Sequence, residues 1–157
     1  MRQPISFLPL KLINFVSFML MKVFVDFIKV DSEKRGKYID ITAEVKAMVE
    51  KSGVENGIVV LHEMHTTAAL TIQEDDVTVH EDTREILDEL VPLDRQYRHS
   101  YEGNANATAH IKNQLLGSNI TLPIINGKIA LGTWQRIFLI ELFEARHRKI
   151  AVSIIGE

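Results

Sequence analysis

The run Ile120-Thr121-Leu122-Pro123-Ile124-Ile125-Asn126-Gly127-Lys128-Ile129-Ala130-Leu131 holds two apolar extended segments joined by Asn126-Gly127. Asparagine and glycine both tolerate positive φ, so this dipeptide predicts a two-residue type I′ hairpin that makes its flanking strands antiparallel neighbours. Further along, Trp134 to Leu142 and Lys149 to Ile155 are two more strands, and strands therefore dominate the C-terminal third. Toward the N-terminus, Lys22 to Val30 and Tyr38 to Ile41 are extended, as are Gly57 to Leu61 and Ala68 to Ile72. The last two are expected to be adjacent or continuous through His62-Glu63-Met64-His65-Thr66-Thr67. Three helices are predicted between these clusters. One is capped by Thr42 and spans 43–52, with Val45, Met48 and Val49 as its stripe and Ser52-Gly53 as its stop. The second covers 77–90, after the acidic start Glu74-Asp75-Asp76 and before Pro92, and the third is capped by Asn104 and ends near Gly117. Helices grouped between strand clusters, without regular βαβ alternation, predict an α+β domain on a mainly antiparallel sheet.

The 157 residues, 46% apolar and 25% charged, fall within the range of one globular domain able to bury its own core. Zero cysteines exclude disulfides, thiolate metal sites and cysteine nucleophiles. A net charge of −3 with scattered cations argues against a nucleic-acid partner. Residues 1–20 differ from the rest: the chain is apolar from Ile5 to Met21, interrupted by Pro4 and Pro9 and closed by Lys22. Its densest part, Leu12 to Met21, is about half the roughly 20 residues that a membrane span needs, and no small-residue cleavage site follows. The reading is a cytoplasmic protein with no membrane partner: an extension at 1–20 and a domain at 21–157. The extension packs on the core or a neighbouring subunit, or else the true start is Met19 or Met21. Deleting 1–20 is expected to leave a folded, soluble domain.

Four histidines lie near polar clusters. His62 and His65 are three residues apart in a strand-like context, so a regular strand would aim them at opposite faces and they do not form an HExxH site. His65 is the better candidate because the hydroxyls of Thr66 and Thr67 follow it. On the third helix Asn106, His110 and Asn113 share a polar face beside the apolar stripe Ala107, Ile111 and Leu115, which suits a pocket wall. Gly132-Thr133-Trp134-Gln135-Arg136 collects a glycine, a hydroxyl, an indole, an amide and a guanidinium at a strand boundary, a set suited to a small oxyanion. Its bland alternative is a bend whose Trp134 fills the core. The carboxylates Glu63 and Glu74 are the nominees for a general base.

His65-Thr66-Thr67-Ala68-Ala69, Tyr97-Arg98-His99, Asn106-Ala107-Thr108-Ala109-His110 and Asn126-Gly127-Lys128 followed by Gly132-Thr133-Trp134-Gln135 stand in the order and spacing of the YjbQ family, also called UPF0047. The resemblance runs from about Met21 through the ending Ile154-Ile155-Gly156-Glu157. It implies a compact domain that assembles as a homotrimer, with a thiamine-phosphate synthase type of transferase activity. It also implies a three-histidine cluster of His65, His99 and His110 holding a divalent metal, zinc or magnesium. In that reading His65, His110 and Glu74 are catalytic. Thr66, Thr67, Asn106, Gly132, Thr133, Trp134, Gln135 and Arg136 bind a small phosphorylated substrate, with Arg98 and Arg148 as further cations. Two classes remain open: an enzyme, a hydrolase being its lesser variant, and a non-catalytic trimer that binds a metal or an anionic metabolite.

Overall fold

A computed structural model describes residues 21–157. The expectations for residues 1–20 lie outside the described residues. The elements run β1 (Lys22–Asp31), β2 (Tyr38–Asp40), α1 (Thr42–Ser52), β3 (Gly57–Glu63), β4 (Ala68–Glu74), α2 (Val77–Leu90), α3 (Asn104–Leu116), β5 (Asn119–Ile125), β6 (Lys128–Ile129), β7 (Gln135–Glu141) and β8 (His147–Gly156). The α+β class and the antiparallel pairing are as predicted, but there are two sheets rather than one. The first has the order β1-β8-β3-β5-β6 and the second β2-β7-β4. β3 and β4 are therefore neither paired nor continuous. The turn between them carries the chain from one sheet to the other, and this is the main departure from the sequence reading.

Alternation explains the layers. In the first sheet Val59 and Leu61 of β3, Leu122 and Ile124 of β5, and Ile150, Val152 and Ile154 of β8 point inward. They meet Leu70, Ile137 and Leu139 of the second sheet, with Val45 and Val49 of α1 in the same cluster. β7 is buried along Ile137–Glu141 because its other face is covered as well: Ala69, Ile140 and Leu142 pack with Ala109 of α3. Among the described residues nothing covers the outer face of the first sheet in this way, and Val23, Val25, Phe27 and Ile58 are exposed on it. The Asn126-Gly127 turn has positive φ at both residues, 51° and 70°, as a type I′ hairpin requires.

Two helix caps differ from expectation. Thr42 is already helical; its amide is capped by Asp40 at 2.8 Å, while its hydroxyl accepts the Ile137 amide at 2.8 Å. Gly103 takes the cap position of α3, and the Asn104 amide instead donates to the carbonyls of Leu93 at 2.7 Å and Arg95 at 3.0 Å, which fastens the preceding loop.

One buried ion pair joins the sheets. Glu141 ends β7 and Arg148 begins the inward row of β8, with side chains 0% and 1% exposed. Arg148 engages both carboxylate oxygens, Nε to Oε2 at 2.7 Å and Nη2 to Oε1. The same carboxylate takes the Ser32 hydroxyl at 2.6 Å and the Phe143 amide at 3.0 Å. Nη1 donates to the Thr67 hydroxyl at 3.0 Å and Nη2 donates also to the Thr67 carbonyl at 3.3 Å, in the turn between the sheets. Removing one partner strands a buried charge, so Arg148→Met is expected to cost about 3–5 kcal/mol. The double change Glu141→Leu with Arg148→Met should recover most of the loss. The urea midpoints of the two variants check this, and a single variant as stable as the parent would contradict the assignment.

Candidate functional site

β3 delivers alternate residues to the core, and its last inward position is a carboxylate. Glu63 is 1% exposed and pairs across the sheet with Ile150. The strand stops there, and the chain bends so that His65 returns over Glu63. The His65 amide donates to Glu63 Oε2 at 2.7 Å, and His65 Nδ1 lies 2.6 Å from Oε1. One proton sits on that short line between ring and carboxyl. The imidazole is thereby fixed in orientation while its side chain stays 36% exposed, leaving Nε2 as the free end. Burial pushes the Glu63 carboxyl above the usual range, and the hydrogen bonds from His65 and the charge of Arg148 offset this only in part. This is the geometry of an oriented acid–base group.

The other candidates line two pockets whose walls do not include His65. His99 and His110 face each other with ring centroids 5.0 Å apart and nearly perpendicular planes. With Tyr97, Arg98 and Gln114 they line an open pocket of about 480 Å³. Gly132, Thr133, Gln135 and Arg136 line a different groove, of about 810 Å³, with Lys46 and Glu50 of α1. Trp134 is 70% exposed and does not fill the core. Arg136 turns its guanidinium back to the Gln135 carbonyl at 2.9 Å.

Strand geometry explains the separation. Ala68 pairs with Glu141 at one end of the β4–β7 ladder, and Glu74 pairs with Gln135 at the other. Seven residues of strand make that distance roughly 20 Å at about 3.3 Å per residue. Glu74 and the 132–136 turn therefore stand a strand's length from His65 within one chain, and Glu63, not Glu74, is the carboxylate at the histidine. Nor do His65, His99 and His110 form a ligand set in one chain, since among the described residues no three His, Cys, Asp or Glu side chains gather closely enough to hold a metal. His65 is drawn inward by Glu63, whereas His110, midway along α3, pairs with His99 in the loop before that helix. His62 contributes to neither centre, because its Nδ1 meets Asn119 Oδ1 at 2.6 Å on the outer face.

Several polar residues serve the fold. Thr67 is buried and occupied by Arg148, which is itself spent on Glu141, so neither faces a substrate, whereas Thr66 is exposed beside His65. Asn113 donates to the Ala68 carbonyl at 2.5 Å, and Gly117 accepts the Leu70 amide at 3.2 Å, which lays the end of α3 along β4. Followed backwards, these contacts lead from Leu70 through Ala68 toward the 64–67 turn, with His110 and Asn106 on the preceding helical turns. Asn106 is 5% exposed and its Oδ1 has no hydrogen-bond partner among the described residues, an open acceptor on this side of the helix.

A family model described as UPF0047 protein YjbQ-like matches residues 26–157. The chain belongs to this family. A UPF0047 protein of Methanothermobacter thermautotrophicus is 39% identical over 137 residues, which is 87% of this chain and 95% of that one. The UPF0047 protein YugU of Bacillus subtilis is 33% identical over 82% of this chain and 97% of its own. Among solved structures, a YbjQ-like protein of unknown function from Sulfolobus solfataricus superposes with a TM-score of 0.82 at 39% identity, covering 87% of this chain and 99% of that one. The sequence resemblance to YjbQ is thus confirmed over nearly the whole described domain.

The raised Glu63 carboxyl has a consequence for stability. The native state of this YjbQ-family chain holds that proton more tightly than the unfolded chain, whose value is near 4.5. The cost of ionising the buried group accrues as pH rises through the window above that value, and is absent below it. Glu63→Gln removes the cost, so the stability of the variant relative to the parent should improve as pH rises above about 4.5. Denaturant titrations of both proteins across that range check the sign.

Proposed function

We propose that this chain is a small-molecule enzyme whose proton-transfer group is His65. The observation that carries the reading is the double hold of Glu63 on the His65 amide and on Nδ1, which fixes the ring without using Nε2. A buried carboxylate that orients a part-exposed imidazole raises its basicity and saves it from searching for a geometry during the reaction. Thr66, exposed beside it, offers a hydroxyl to an anionic substrate. For the transfer that the family resemblance implies, the carbon–oxygen bond to pyrophosphate breaks, pyrophosphate leaves with the bonding pair, and a ring nitrogen of the thiazole phosphate forms the new bond. The part for this chain is that His65, with Nδ1–H held by Glu63 and Nε2 first protonated from solvent, gives the Nε2 proton to the departing oxygen and returns to the neutral ring. Among the described residues of one chain His65, His99 and His110 are not gathered closely enough to hold a metal ion.

The exposed apolar face of Val23, Val25, Phe27 and Ile58 supports the homotrimeric assembly. A second subunit is also the means by which the 132–136 turn reaches a histidine centre, given the length of β4 within one chain.

A second reading, a non-catalytic binding protein, is favoured by the His99–His110 pocket, which has cationic, aromatic and amide walls and no carboxylate among its lining residues. Turnover separates the two. With a pyrimidine diphosphate and a thiazole phosphate as paired substrates, His65→Ala and Glu63→Gln are each expected to lower kcat by about 10²–10⁴-fold. His99→Ala, in a pocket apart from the dyad, should act mainly on KM. Turnover unchanged in His65→Ala would overturn the assignment.

A further inference from the structure

We propose that the cleft between the 34–38 turn and α2 is a second ligand site, for a small molecule bearing a phosphate or diphosphate group. Its walls include neither His65, His99 nor residues 132–136, and it has a volume of about 320 Å³, at the small end of ligand pockets.

Its charge is the first support. Lys34, Lys37 and Arg84 line it, and among the described residues none of the three has an ion-pair partner. Asp75 and Glu81 are the carboxylates on the same walls. Behind the cleft lies a narrow chamber of about 20 Å³ that shares Arg35, Gly36, Tyr38 and Arg84 with it and reaches Lys112, which is 3% exposed. Lys112 and Arg35 both pair with Asp88. Partial burial pushes the Asp88 carboxyl up, but these two cations together outweigh it and hold the group below its ordinary range. One carboxylate thus serves two cations, and Glu141 at the back of the chamber is already matched by Arg148. Cleft and chamber together carry five lysines and arginines against Asp75, Glu81 and Asp88, a surplus of two positive charges on a chain whose net charge is −3.

Its rigidity is the second. The Tyr38 and His80 rings stack at 4.0 Å with an interplanar angle of 3°, and Phe138 closes edge-on against both. His80 Nε2 donates to the Glu74 carbonyl at 3.0 Å, so the wall is locked with Nδ1 as its free nitrogen. Opposite, Gly36 has φ of 77°, and a Cβ there would sit 2.9 Å from Cδ of Arg84. The glycine lets the arginine stem lie against the turn with its guanidinium in the cleft. A planar guanidinium flanked by lysines suits the several oxygens of a phosphate better than a single carboxylate.

The test titrates inorganic pyrophosphate into the full chain by calorimetry, with the same titration in His65→Ala to separate this site from the proposed dyad. Saturable binding is expected that weakens with added salt, falls at least about tenfold in Arg84→Ala and in Lys37→Ala, and shifts the His80 ring resonances. Gly36→Ala should weaken it too, by displacing Arg84. Lys51→Ala, which removes a surface cation on α1 paired with Asp26, should leave it unchanged. Absence of binding, equal affinity in Arg84→Ala and Lys37→Ala, or an equal loss in Lys51→Ala would overturn the proposal. Loss confined to His65→Ala would place the pyrophosphate at the dyad and also overturn it.

Discussion

The Glu141–Arg148 pair is the constraint on which the rest of the architecture turns. Two antiparallel sheets facing each other through aliphatic side chains are free to slide, because dispersion and the hydrophobic effect carry little directional information. A bidentate ion pair with no water around it does carry direction. It fixes the end of β7 against the start of β8, holds Ser32 after β1, and grips Thr67 in the crossing between the sheets. The turn that bears His65 is therefore anchored from below by a group that tolerates little displacement. Burying two charges is costly in itself, so positional definition, more than net stability, is what such a pair provides.

Beside this anchor stands a second buried carboxylate of opposite character. Glu141 is fully compensated by arginine, serine and a backbone amide, whereas Glu63 relies mainly on one histidine and feels Arg148 only at a distance. A fold that places a fully satisfied carboxylate and a proton-hungry one against the same guanidinium separates a structural role from a chemical one by hydrogen-bond count alone.

Much of this was legible in the residues. The hairpin at Asn126-Gly127, the helix over 77–90 and the strand content of the last third follow from turn chemistry and periodicity, and the structure reproduces them. The division into two sheets was not legible, because the run from Gly57 to Ile72 has the same apolar character on both sides of the crossing and periodicity does not reveal which partner a strand chooses. Glu63 could have been recognised as inward from its parity with Val59 and Leu61. The same parity does not extend to His65, which lies beyond the end of β3. Lys112 and Arg148 were harder to place, since a long cationic side chain on a helix or strand is ordinarily solvated. The distance between the histidine centres and the 132–136 turn depends on strand order, which no local pattern encodes.

β1 and β8 pair along their whole lengths, from Lys22 opposite Gly156 to Asp31 opposite His147. Among the described residues the first strand thus finds its one partner in the last strand, across the whole of the intervening domain. During translation β1, with Val23, Val25 and Phe27 along one side, leaves the ribosome long before the segment that completes its ladder. Until β8 emerges the nascent chain must carry β1 without the strand that completes its ladder, an aggregation-prone edge, so the closing of the first sheet is a slow non-local step.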